Sequence, residues 1–301
     1  YPAQVLERFN WRRCSSADKA KGMSRYIGSN RNLSRAQWVI VGAPMDATAS
    51  RIGGSRLGPE AIRSESLHLE SFSLYRLKDV ADVPFCDVGD LALSPGDVDR
   101  AMGIIEATSR KFIERKKKVL LLGGDHLVSY GAIKAASCAW PHLRVVHLDA
   151  HADLRDCWMG SRFSHATVMR RAAEDCLEET KRLYQFGIRS CSAEEYDWGM
   201  NHTHLFPFNL TKIEDCLDEL SGVPIYVSID VDVVDPSAAP GTGTPEPGGV
   251  TLGELLRALE TMKGLDVVGI DIVEVSPPQD INGITAALAA KVIREALILW
   301  G

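Results

Sequence analysis

From residue 37 onward, short β-rich runs alternate with amphipathic helical stretches, and this alternation confines the chain to an α/β fold, a parallel sheet with helices on both faces. The runs are 37–42 (QWVIVG), 118–122 (KVLLL), 143–149 (LRVVHLD), 182–187, 223–230 and 265–272. The clearest helix is predicted between Pro95 and Lys116, where Val98, Met102, Ile105, Thr108 and Phe112 recur at helical spacing behind Ser94 as N-cap. A last helix, from about 282 to 300, carries Leu288, Val292, Ala296 and Leu299 on one stripe. No internal repeat, low-complexity tract or long linker divides the chain. We therefore expect a single domain over residues 36–301, preceded by a polar arm, 1–35, that packs on the sheet edge or on a neighbouring subunit.

Composition removes several classes of function. Of 301 residues, 34 are Lys or Arg and 40 Asp or Glu, a net charge of −6 that leaves no basic footprint for nucleic acid or an acidic membrane surface. No apolar run approaches the ~18 residues of a membrane helix, because Asp230, Asp232, Asp235, Asp271 and Lys291 interrupt the candidates. The 7 cysteines are scattered with no CxxC pair, which argues against a disulfide framework or zinc knuckle and fits a cytoplasmic protein. The first residues, from Tyr1, show no targeting pattern. RIGGSRLGP (51–59) lacks both GxGxxG and GK[ST], so it does not cradle a nucleotide phosphate. The run DPSAAPGTGTPEPGG (235–249) reads as a stiff loop closing behind Asp232.

The chemistry collects where strands end. VVHLD runs into AHAD, and alternation along an extended chain starts Asp149, His151 and Asp153 on one side. IYVSIDVDVVDP repeats the device with Asp230 and Asp232, and VLLL ends in Gly123, Gly124, Asp125 and His126, where two glycines are expected to turn the backbone sharply. In open α/β sheets ligands bind outside the carboxyl ends of strands, which is where all six side chains lie if the strands are parallel. Four crowded carboxylates repel unless neutralised, and two divalent cations supply the missing +4. Two imidazoles and four carboxylates with no thiolate favour manganese over zinc. A two-metal site of this kind activates water, so the chemistry is metal-assisted hydrolysis. His147 has the parity of Asp149 but lies ~6.6 Å farther back along its strand, and reads as a core histidine.

GGDH (123–126), DAHAD (149–153) and SIDVDVVDPSAAPGTGTPEPGG (228–249) resemble the ureohydrolases, which include arginases, agmatinases and formimidoylglutamases. Further matches are 42–63 (GAPMDATASRIGGSRLGPEAIR), DVGD at 87–90, GIRS at 187–190 and VEVSPP at 273–278, so the likeness spans about residues 37–300. The resemblance implies a three-layer α/β fold with a central parallel eight-stranded sheet, two Mn2+ ions per subunit, and hydrolysis of a guanidino group to urea. It implies that His126, Asp149, Asp153 and Asp230 bind one metal and Asp149, His151, Asp230 and Asp232 the other. Glu274 would grip the guanidinium, Asp153 would take and pass on a proton, and His165 (FSHAT) would shuttle it. Family members usually form homotrimers or homohexamers.

The far end of the substrate separates the members. Leu154, Arg155, Asp156, Cys157 and Trp158 stand where arginases carry Asn and Ser, and Ser192 stands where they carry an Asp, which disfavours arginine. SHAT and GIRS followed by Glu194 and Glu195 are similar to agmatinases, whose substrate ends in an ammonium that a carboxylate such as Glu195, or Asp156, would receive. Agmatine, cleaved to putrescine and urea, is the expected substrate. Arg155 and Arg162 keep a guanidino acid open, as guanidinobutyrate or guanidinopropionate, with formiminoglutamate a further possibility. Outside this class stand a non-catalytic metal-binding regulatory subunit, which the intact ligand set opposes, and a phosphoesterase, which would show more than Arg155 beside the metal motifs.

Overall fold

The computed structural model describes residues 24–301 except 31 and 95. The six predicted runs become strands and two further strands join them, numbered together β1 (Trp38–Ala43), β2 (Phe85–Asp90), β3 (Lys118–Gly123), β4 (Arg144–Leu148), β5 (Leu183–Ile188), β6 (His204–Pro207), β7 (Pro224–Asp230) and β8 (Asp266–Val273). They form one eight-stranded sheet in the order β2-β1-β3-β8-β7-β4-β5-β6, and every pairing is parallel. The helices are α1 (Gly58–Ser66), α2 (Val98–Glu114), α3 (Val128–Ala139), α4 (Val168–Asp175), α5 (Ala193–His202), α6 (Leu252–Thr261) and α7 (Ile284–Trp300), with a single turn at Leu217–Leu220 and a small antiparallel ribbon, 72–73 with 78–79.

Alternation along the strands builds the layers. Trp38, Ile40, Leu120, Leu122, Val146 and Leu148 enter one core with residues of α1, α6 and α7, while Val39, Val41, Val119, Leu121 and Val145 enter the opposite core with α2, α3 and α4. Helices thus cover both faces. α7 is apolar nearly all round and buried along most of its length, so the single stripe expected there understates it.

β2 and β6 were not among the predicted runs, and they are the two edge strands. An edge strand needs no continuous apolar run; FCDVGD carries two acids and a glycine, and HLFP has four residues. The cap of α2 also differs from expectation: Asp97, not Ser94, accepts from the backbone N–H of Arg100 at 3.1 Å. The chain turns once more through Gly96, in the left-handed region, before the helix starts.

Residues 24–30 lie along the β2 edge. Tyr26 is buried, its N–H donates to Asp87 Oδ2 (2.9 Å), its hydroxyl donates to the carbonyl of Ala290, and Asn30 N–H donates to the carbonyl of Phe85. Residues 1–23 of the expected arm lie outside the described residues. Below Tyr26, buried Arg63 binds both oxygens of Asp87 (2.8 and 3.1 Å) and pairs with Asp90, so the acids that kept this edge strand out of the apolar pattern are neutralised from α1. Removing one partner of such a buried pair costs about 3–5 kcal/mol.

Candidate metal centre

Because the strands are parallel, the segments that leave β3, β4, β7 and β8 meet at one rim. His126 stands after β3, Asp149, His151 and Asp153 follow β4, Asp230 ends β7 with Asp232 two residues on, and Glu274 follows β8. All six expected ligands gather there. The glycines of GGDH serve a different need from the one expected: neither takes the left-handed conformation. A Cβ on Gly124 would fall 1.8 Å from the carbonyl oxygen of Met45, so glycine is required because the 44–54 loop crosses the backbone there.

The polar atoms are arranged around something other than themselves. Ser228 donates its hydroxyl to Asp271 Oδ1 (2.7 Å), so its oxygen accepts from Nε2 of His126 (3.0 Å). Nδ1 of His126 then faces Asp149 and Asp153 at 3.1 Å and Asp230 at 3.4 Å, yet has no aligned hydrogen bond; the same holds for Oδ2 of Asp232, 2.9 Å from Nδ1 of His151. Ligand atoms of His126, His147, Asp149 and Asp153 lie within 4.8 Å of one another, as do those of Asp149, His151 and Asp232. Asp149 belongs to both groups. A buried imidazole nitrogen facing three carboxylates, and a buried carboxylate oxygen facing an imidazole, both without a hydrogen-bond partner, fit a pair of cations.

Electrostatics agree. Burial, with the neighbouring Asp232 and Asp149, raises the carboxyl of Asp230 well above the carboxylate range, and burial with Asp149 raises Asp232. Burial also acts to raise Asp149, but the imidazoles of His147, His126 and His151 outweigh it and hold this carboxyl well below the usual value. Burial acts to lower His151, but Asp232 and Asp149 prevail and push it up to about 12. Like charges therefore compete for whatever positive charge is nearby, which is the demand that two divalent ions meet.

A cavity of about 270 Å³ opens onto this rim, lined by Ser50, His126, His151, Asp153, Arg155, Trp158, His165, Cys191, Ser192, Glu195, Asp230, Thr244 and Glu274 among others. Glu274 has φ 66°, a backbone region that side chains rarely adopt, and its Oε1 accepts from His126 N–H at 2.8 Å. Burial, and then the charge of Asp125, raises its carboxyl well above the carboxylate range, so an incoming guanidinium would meet a group that gains a strong reason to ionise. Nε2 of His165 lies 3.1 Å from Ser50 Oγ at the cavity wall.

The substrate-end expectations divide. Glu195 is buried and lines the cavity, but its oxygens accept from Leu154 N–H (3.2 Å) and Ser192 N–H (2.9 Å) and face Arg155 at 3.4 Å. It caps α5. Asp156 does not line the cavity; it pairs with Arg171 at 2.7 Å and Arg162 at 3.5 Å, and Arg162 is absent from the lining too. Arg155 does line it, its guanidinium 4.3 Å from the Trp158 ring centroid. Asp125, in the middle of GGDH, works behind the site: it accepts from the N–H and hydroxyl of Thr48, both at 2.9 Å, and Thr48 Oγ1 accepts from His165 N–H at 3.0 Å. The 235–249 loop is tied as expected of a stiff element. Asp235 accepts from Ser237, Gly248 and Gly249, and Arg189 of GIRS donates to the carbonyls of Asp232 and Glu246. Arg189, Thr48 and Ser228 carry roles that the sequence reading did not assign; for Ser228 the signal was available, since it shares the two-residue period of Asp230.

The arginase family model matches residues 36–299 of the chain. The chain belongs to the arginase family. It is 40% identical to an agmatinase of Bacillus cereus over 94% of this chain and 98% of that protein. A guanidinobutyrase of Pseudomonas aeruginosa is 33% identical over 90% of this chain and 89% of its own length. Among solved structures, a putative agmatinase from Clostridium difficile superposes with a TM-score of 0.86 at 35% identity, covering 89% of this chain and 98% of that one. This arginase-family member is a ureohydrolase, an enzyme that hydrolyses a linear amidine C–N bond in guanidino compounds.

Proposed function

We propose that this enzyme hydrolyses agmatine to putrescine and urea with two Mn2+ ions held by His126, Asp149, His151, Asp153, Asp230 and Asp232. The observation that carries the reading is the donor set: only imidazole nitrogens and carboxylate oxygens, with Asp149 common to two ligand groups. Bound there, the ions supply the Lewis acidity that makes water a nucleophile at neutral pH. The chain's own side chains do the rest. Glu274 holds the guanidinium by a forked pair of hydrogen bonds and fixes its carbon, which as a delocalised cation is a poor electrophile and gains from exact placement. Asp153 accepts a proton from the attacking water, and His165, at the cavity wall beside Ser50, delivers a proton to the departing amine, which cannot leave as an anion. Agmatine is favoured by the likeness to agmatinases along almost the whole chain. We infer that residues 36–301 form the catalytic domain of a cytoplasmic homotrimer or homohexamer.

One observation favours a second reading, a guanidino acid such as 4-guanidinobutyrate. Arg155 presents a cation to the cavity, while Glu195, the expected partner of an ammonium, has its oxygens engaged. The likeness to a guanidinobutyrase leans the same way. Release of urea from agmatine, arginine and 4-guanidinobutyrate, and of formamide from formiminoglutamate, by manganese-loaded protein separates the two. Turnover of agmatine above the acids is the expected result; activity on an acid without agmatine selects the second reading, and no urea from any of them rejects both.

A further inference from the structure

Behind Asp149, on the sheet side of the site, lies a hydrogen-bonded pair that touches neither the cavity nor the proposed substrate. His147 on β4 and Gln185 on β5 are fully buried and sit directly opposite one another in the parallel register of the two strands. Nε2 of Gln185 lies 2.7 Å from the carbonyl oxygen of Ala152 and 3.0 Å from Nδ1 of His147, and Nε2 of His147 lies 2.8 Å from Asp149 Oδ2.

The donors in this chain can be assigned without seeing a hydrogen. A backbone carbonyl only accepts, so the Gln185 atom facing Ala152 must be the amide NH2, which settles the orientation of the side chain. The second N–H of that NH2 points at His147 Nδ1, which must therefore be the bare nitrogen. His147 then carries its proton on Nε2 and donates it to Asp149. We propose that Gln185 is a positioning residue: by fixing the tautomer of His147 and gripping the carbonyl between His151 and Asp153, it holds Asp149 as an anionic ligand common to both metal positions.

This rests on the two-metal reading and adds a requirement to it. Hydrogen bonds behind a ligating group orient it, and losing one typically weakens metal binding about 10–100-fold. With methionine at 185 the volume is roughly kept and the donor is lost, so both His147 tautomers become available, one of which sets a lone pair against the Asp149 carboxylate. Three measurements test this. Long-range 1H–15N correlation spectra of histidine-labelled, metal-free wild-type protein should show His147 protonated on Nε2 alone. Gln185→Met should show both tautomers, and calorimetric titration of its metal-free form with Mn2+ should show affinity reduced about 10–100-fold. Protonation of wild-type His147 on Nδ1 overturns the proposal whether or not the variant folds, as does a Gln185→Met protein with wild-type tautomer and affinity. A wild-type protein that takes up no Mn2+ removes the metal centre itself, and with it the role assigned here, which is a different failure from an unchanged variant.

Discussion

Asp153 and Glu274 both sit at positive φ, 54° and 66°, and neither is a glycine. Each such conformation costs on the order of 1–3 kcal/mol and persists only where the surroundings enforce it. Both residues face the cavity, so the strain falls where a side chain must be aimed. Changing Glu274 to Gln keeps the shape but removes the charge that would receive a guanidinium; kcat/KM for urea release should fall at least ~100-fold while elemental analysis still finds the wild-type metal content. Asp232→Asn should behave differently, losing metal and activity together, since Oδ2 of Asp232 is a buried carboxylate oxygen without a hydrogen-bond partner, facing the Asp149–His151 group. A variant that retains both ions and its turnover would refute that ligand assignment. That these acids and imidazoles meet at one rim was legible because they recur at two-residue spacing where strands run out. Gln185 was not, since its partners lie 33 and 38 residues away and no local pattern marks it. Glu195 was read as a substrate contact although Ser192 stands three residues before it, the spacing of a capping box, and that is the role it fills.

Among the elements, the 235–249 loop depends on one carboxylate. Four donors from Ser237, Gly248 and Gly249, chiefly the Ser237 hydroxyl, hold Asp235 at about 2, below its ordinary 3.8. A folded-state value below the unfolded one contributes stability above pH 3.8 that is lost as the pH falls through about 2. Asp235 is largely solvent-facing, so the contribution is modest: Asp235→Ala should cost about 1 kcal/mol at pH 7 by denaturant titration, and the gap to wild type should close on acidification between pH 4 and 2. A gap that stays constant across that range would show that the charge is not what ties the loop. The stiffness of this loop was legible from its prolines and glycines; its outside tie, from Arg189 just past β5 to the carbonyl of Glu246 57 residues on, was not. The two unpredicted strands have a common cause. An edge position relaxes the demand for apolar residues on both faces, and the apolar run is the signal by which a parallel strand is read.

For the whole molecule, four mutually repelling carboxylates at one rim are a liability that bound cations convert into a gain. Each ion at 100 times its dissociation constant adds about 2.7 kcal/mol, so scanning calorimetry should find the unfolding midpoint raised by roughly 5–10 °C in Mn2+ and lowered again by a chelator. An unchanged midpoint would mean that the ions do not bind the folded state preferentially. The α-β-α class was legible from alternation alone. The strand order was not, and it bears on how the protein is made. β8, the last strand to be synthesised, lies between β3 and β7. Until it emerges from the ribosome, the nascent chain can hold only two half-sheets with open edges, one bearing His126 and the other the aspartates and His151. On the proposed assignment, Asp149, His151, Asp230 and Asp232 all belong to the second half-sheet, so vectorial synthesis would delay the other position, which needs His126, until translation is nearly complete; a polypeptide stopped at residue 265 should elute as an expanded species with less than the wild-type Mn2+ content on gel filtration.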